Sequence, residues 1–271
     1  MPINKQALST VFLYGLLCIL TVCSAGGVSA SSTSYWQDKF YIERSFHDIA
    51  LNAEYTSEGV PPVIKRWVRP LRVWMHSGEG DAHTQRALLR RHLEILGSIA
   101  RLSVRLVERP EEANVRVYFA ADDELDALVA REMPAIAENE FAYSWCMGSI
   151  RFNRRAEIVR GTVVIPVSRV TAAGKLESCI VEEVTQMLGL INDSRFALHT
   201  VFSDRSDDER LTGLDYLLIR LLYSPALRTG MTWEQARPAV RRQLDAWEKV
   251  GLIRRAERLV RRHMPYALAG G

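Results

Sequence analysis

The chain has 271 residues, 48% of them hydrophobic, 25% charged and 8% aromatic, with a formal net charge of +3. That length holds one large domain or a domain with appendages, and the composition excludes a disordered or low-complexity protein. The arginines are spread along the chain and not gathered in one tract, so the mild basicity carries no expectation of nucleic-acid binding.

The first residues read as a targeting segment. Lys5 supplies a weakly positive start, Ala7 to Val22 form an apolar run, and small residues follow from Ser24 to Ser32. Val28-Ser29-Ala30 fits a signal-peptidase site, which makes residues 1–30 a signal peptide. Cys23, after Leu20-Thr21-Val22, offers the alternative of a lipid anchor, although a smaller residue than Val22 is usual before such a cysteine. Both alternatives place the mature protein outside the cytoplasm, in the periplasm or attached to the envelope. Of the four cysteines, Cys18 and Cys23 belong to the leader, which leaves Cys146 and Cys179. In an oxidising compartment such a pair is expected to be a disulfide and not a metal pair or a nucleophile. Closing about 33 residues, it would contribute roughly 3–4 kcal/mol.

Beyond a serine-rich joint, residues 36–56 predict a helix with Phe46, Ile49, Ala50 and Ala53 on one side. Leu71 to Met75 predict a strand behind Pro70, and residues 81–101 a helix with Leu88, Leu89, Leu93, Leu96 and Ile99 at helical spacing. "LSVRLVE" and "ANVRVYFA" predict two alternating strands separated by "RPEE". A helix follows from Asp122 to about Met133, with acids at its positive end. "AYSWCMGSIRFN" and "GTVVIPVS" predict two further strands, then a helix runs from about Gly174 to Leu188 and stops at Gly189. After a loop at 195–210, Thr212 and Asp215 form a capping-box pattern ahead of a leucine-rich helix, and Thr232 with Gln235 repeats it. This order predicts an α+β layer of helices on a mixed sheet.

One stretch, "VEEVTQMLGLIND" at 181–193, approaches a chemical motif. Glu182 and Gln186 are four apart on one helix face with Glu183 beside them. Zinc peptidases place two histidines at that spacing with a glutamate between as general base, and the metzincin version adds a glycine turn and a third histidine. Over that pattern the chain reads E-E-x-x-Q-x-x-G-x-x-N, with Gly189 at the turn and Asn192 at the third-ligand position. "LTGLDYLLIRLLY" resembles the closing helix of matrixin-like metzincins, and "LSVRLVERPEEANVRVYFA" resembles their paired strands. The methionine of their turn is missing, with Val201 and Phe202 in that region.

"CIVEEVTQMLGLINDS", "VFSD", "LTGLDYLLIRLLYSPALRTGM", "VIKRWVRPLRVW" and "ANVRVYF" together look like the bacterial domain-of-unknown-function family 2927. Its members are often described as lipoproteins and it carries no established activity. The resemblance implies an envelope location and a zincin-like shape. The sequence as a whole divides into a leader at 1–30, an N-terminal helical segment at 31–66, a zincin-like domain at 67–225 and basic C-terminal helices at 226–271.

A zincin reaction requires the metal to bring its water from a pKa of about 15.7 to near 7, help on the order of 12 kcal/mol that Glu183 alone does not supply. Glu182, Gln186 and Asn192 offer one carboxylate and two amide oxygens, whereas zinc favours thiolate and imidazole. Such oxygens suit calcium, magnesium or manganese better. Asp193 would add a charge, but adjacent residues seldom point the same way. His47, His76, His83, His92, His199 and His263 show no metal-binding spacing, and His199 reads as a solvated loop residue. The expected function is a non-catalytic binding module that needs no cofactor and takes a protein or peptide partner. Its alternative is an atypical metalloprotease with Glu183 as base and a divalent metal on Glu182, Gln186 and Asn192. The plain alternative for "EEVTQ" is an exposed polar helix face. The arginine-rich stretch from Arg237 to Arg262 reads as a solvated basic face or as a contact for an anionic membrane surface. Trp233, Trp247 and Leu252 offer a way to pack that segment back onto the domain.

Overall fold

A computed structural model of the chain describes residues 34–52, 61–134, 144–203 and 205–263. The expected leader, its cleavage site and Cys23 lie outside the described residues. Strands β1 (Leu71–Ser77), β2 (Val104–Leu106), β3 (Val115–Ala120), β4 (Met147–Phe152) and β5 (Ile158–Pro166) form one sheet in the order β2-β1-β3-β5-β4. Neighbours are parallel except β4, which runs antiparallel to β5. The fold is α+β. Alternation sorts the two faces, with Leu71, Val73, Val115, Val117, Phe119, Val163 and Ile165 all on the face that builds the main core.

Two strand readings need correction. Residues 104–106 and 115–120 are strands, but they do not pair with each other, because β1 lies between them and takes Val104 and Val115 as partners. Both run parallel to β1, and a tight turn cannot join parallel strands. "RPEE" therefore forms a single 3-10 turn at Pro110–Glu112 that steps across the end of β1. The strand expected through Ser168 ends at Pro166, since Val167 already opens helix α4 (Val167–Ala172). Pro166 has no N–H with which to extend a ladder and suits the residue ahead of a helix.

Helix α1 (Lys39–Leu51) starts where the Asp38 side chain accepts from the Tyr41 N–H. Helix α2 (Ala82–Ala100) starts on the Asp81 side chain and stops at Arg101, whose left-handed backbone closes the last turn. Helix α3 (Leu125–Glu132) covers the second face of the sheet, packing Leu125, Leu128 and Val129 with Tyr118, Ala120 and Val164. Helix α5 (Leu176–Gln186) lies on the main-core face with α2. Helices α6 (Gly213–Leu222) and α7 (Trp233–Lys249) both carry the capping boxes the sequence predicts, and α8 (Leu252–His263) follows.

The last two helices share the main core. Trp247 is buried there, with Ile253, Ala256 and Val260 of α8, and Trp233 and Leu252 pack against it. Glu43 of α1, itself buried, takes Arg237 at 2.6 Å and Arg241 at 2.8 Å, so two arginines of the basic stretch bind the fold's own carboxylate. Arg242, Arg254, Arg255, Arg258, Arg261 and Arg262 remain exposed.

Lys65 is fully buried and donates to the Pro61 and Val63 carbonyls at 2.7 and 3.2 Å. Burial lowers its pKa from 10.5 to about 8. The unfolded chain therefore binds this proton over a range in which the folded one releases it, and stability from this group rises between those two pH values. Lys65→Met removes the desolvation cost of the charged form, so its stability relative to the parent is expected to be most favourable at pH 7. It should be lower above pH ~10, as urea unfolding at the two pH values will show.

Candidate functional site on helix α5

Helix α5 is enclosed on nearly every side. Cys179, Ile180, Val181 and Val184 enter the main core, and Glu183 and Gln186 are each only 5% exposed. "EEVTQ" is therefore not a solvated polar face. Glu183 lies beneath β4, where Gly148 makes the room: a β-carbon there would stand 2.6 Å from Glu183 Oε2 and 2.7 Å from Met187 Cε. Gly161 on β5 gives similar room to the Met187 sulfur, 2.9 Å from where its own β-carbon would stand.

Both ends of the helix are fixed. Cys179 is joined to Cys146, just before β4, with their Cα atoms 5.9 Å apart, so the expected disulfide is present. At the other end the freed carbonyls find partners outside the helix. Trp67 Nε1 donates to Met187 O at 2.7 Å, and the Tyr223 hydroxyl donates to Leu188 O at 2.8 Å. Gly189 then turns the chain with φ +112°, and a β-carbon there would fall 2.1 Å from the Lys65 carbonyl oxygen.

The turn returns Asn192 and Asp193 toward the helix. Gln186 Nε2 donates to Asp193 Oδ1 at 2.9 Å. Asn192 instead donates its side-chain amide to the Asp193 carbonyl at 3.2 Å and its backbone N–H to Ile49 O of α1 at 3.2 Å. The residue that meets Gln186 is thus Asp193 and not Asn192. Because Asn192 is held by the end of α1, its neighbour presents its side chain to the helix. That charged neighbour was visible in the sequence, but its direction depends on α1, a contact between distant segments. Glu182 sits half-buried on α5, one position before Glu183.

A family model described as "Protein of unknown function (DUF2927)" matches residues 39–242. The chain belongs to the DUF2927 family. The match begins with α1 and reaches into α7, so it includes every contact of α5 described above. No curated protein matches the chain.

In this DUF2927 protein, the donor set of Glu182, Gln186 and Asn192 with Asp193 is made of oxygens and does not fit zinc, which prefers nitrogen and sulfur. The Gln186 and Asn192 amides turn N–H groups toward Asp193, an arrangement that opposes a cation between them. His92 and His199 are engaged elsewhere. His92 of α2 is buried with Nε2 2.9 Å from Thr185 Oγ1, and burial lowers its pKa to about 4, so it is neutral. His199 is not a solvated loop residue: its two ring nitrogens lie 3.3 Å from Asp208 and 3.3 Å from Glu257, and its ring packs on Trp36. The hydrogen bond to Glu257 raises its pKa despite partial burial. Val201 and Phe202 are both buried. Asp215, in the capping box of α6, also accepts from Thr200 and from the Val201 N–H, which holds this loop against the helix.

The way α5 is held sets the cost of three replacements. Gly189→Ala should cost about 3 kcal/mol or more, because both its backbone angle and a carbonyl oppose a side chain. Gly148→Ala meets only side-chain ends and should cost about 1–3 kcal/mol, an order that denaturant titration of the two variants will check. Replacing Cys146 and Cys179 by serine together should remove about 3–4 kcal/mol, measured by the same titration against the oxidised parent.

Proposed function

We propose that this DUF2927 chain is an exported, non-catalytic binding module of zincin-like shape. The observation that carries the reading is the Gln186–Asp193 hydrogen bond. It uses a position where a zincin would hold its metal to tie the helix to the following turn. The burial of Glu183 beneath Gly148 supports the same reading, because a general base has to reach water and substrate. The expected leader and the Cys146–Cys179 disulfide support export to an oxidising compartment. The partner in this reading is a protein or peptide. The exposed arginines of α7 and α8 offer a second contact, with an anionic membrane surface.

A second reading rests on Glu183 itself. A carboxylate at the general-base position of the pattern, next to an edge strand, also suits an atypical metalloprotease. There Glu182, Gln186 and Asn192 would hold an oxygen-ligated divalent ion. Metal analysis of the purified mature domain, made without a histidine tag, separates the two. We expect no stoichiometric zinc or manganese and no change in melting temperature with chelator. One metal per chain that is lost in Glu182→Ala, together with peptide hydrolysis that is lost in Glu183→Gln, would overturn the binding-module reading.

A further inference from the structure

The face of the sheet turned away from α5 carries an unusual row of charge. Arg72 of β1 stands beside Arg105 of β2, and Arg160 of β5 stands opposite Arg151 of β4. Asn114 occupies the place between the two pairs, bonded to the backbone of Arg72 on one side and of Gly161 on the other. Neighbouring strands lie about 4.8 Å apart, so the row spans roughly 19 Å. Like charges on adjacent strands are destabilising when nothing lies between them. Arg105 and Arg151 are exposed and have no ion-pair partner among the described residues.

The next outward position on β3 adds Arg116, and α3 adds Arg131. Arg116, Arg131 and Arg160 all turn to one buried carboxylate, Glu132, at 3.4, 3.2 and 2.7 Å. Three guanidiniums on one acid leave the cluster strongly positive. Beside it opens a cleft of about 670 Å³ between the sheet and α3. Its floor is aromatic: the Trp74 and His76 rings stack 5.7 Å apart, and Tyr118 meets Trp74 edge-on at 5.7 Å. Its far wall carries Asp123 and Glu124.

We propose that this face binds a negatively charged oligosaccharide, with sugar rings on the Trp74–His76 floor and acidic groups on the arginine row. Guanidinium groups pair with carboxylate or phosphate through two parallel hydrogen bonds. Aromatic faces accept the C–H side of a sugar ring through dispersion contact. Asp123 and Glu124 accept hydroxyl protons, which a sugar supplies along its whole length. A bilayer surface is flat and cannot follow the floor of a cleft. The site lies on the opposite face of the sheet from α5 and does not depend on what α5 does.

Calorimetric titration of the mature protein with oligogalacturonate, and separately with phosphorylated maltohexaose, tests the assignment. Neutral maltohexaose, single-stranded hexathymidylate and phosphatidylglycerol vesicles serve as the contrasting probes. At least one of the two acidic sugars should bind, with affinity that falls as salt rises. Arg105→Gln with Arg151→Gln should weaken it about tenfold, and Trp74→Ala by a similar factor. The two arginine replacements should at the same time raise the melting temperature by about 1–2 °C, since they remove like-charge neighbours. Failure of both acidic sugars to bind would overturn the proposal, as would binding untouched by the arginine replacements or tighter binding of hexathymidylate or vesicles. The metal analysis of the preceding section is unaffected by any of these outcomes.

Discussion

Helix α5 lies against the sheet only because β4 and β5 carry glycine where it passes. Gly148 leaves space for Glu183 and Met187, and Gly161 leaves space for the Met187 sulfur. A side chain at either position would displace Glu183 or the end of Met187, which pack between the helix and the sheet. The close approach explains the fixtures at the helix ends. A disulfide holds its start to β4, and Trp67, Tyr223 and the Gly189 turn hold its end. Those three residues come from the segment before β1, from the end of α6 and from the turn itself. The position of one helix therefore organises segments that are far apart in the chain.

Periodicity made most of this architecture legible. Alternation marked β2 and β3, apolar runs marked the other three strands, and leucine spacing or capping boxes marked α2, α6 and α7. Two features were not visible because they depend on partners. The insertion of β1 between β2 and β3 cannot be read from either strand, since a parallel strand looks alike beside any neighbour. The end of β5 was hidden because Val167 and Ser168 suit a strand, and only the packing of α4 makes them helical. At the site, the spacing of Glu182, Glu183, Gln186 and Gly189 was plain in the sequence. That Asp193 meets Gln186 was not, because the backbone of Asn192 is anchored by α1 from well over a hundred positions earlier.

The charges divide in the same way. Composition shows a slight excess of arginine and lysine with no tract, yet the fold both neutralises and concentrates it. Glu43 absorbs two arginines of α7, so that end of the protein is less basic than its sequence implies. On the sheet the reverse happens. Arg72, Arg105 and the Arg151/Arg160 pair of the last two strands are separated in sequence by tens of residues, and strand register lines them up. No window of sequence shows that row, because it runs across the strands.

The two faces of the sheet therefore place opposite demands on its strands. Toward α5 they supply apolar side chains and two glycines, and the polar groups of the helix are tied into the fold. On the other face the same strands, at alternate positions, carry guanidiniums and aromatic rings beside an open cleft. A sheet under selection for stability alone would put opposite charges or β-branched residues at those outward positions, where cross-strand pairs would strengthen it. Arginine beside arginine at two places weakens it. The first face is built as core, whereas the guanidiniums of the second match the acidic ligand proposed for it.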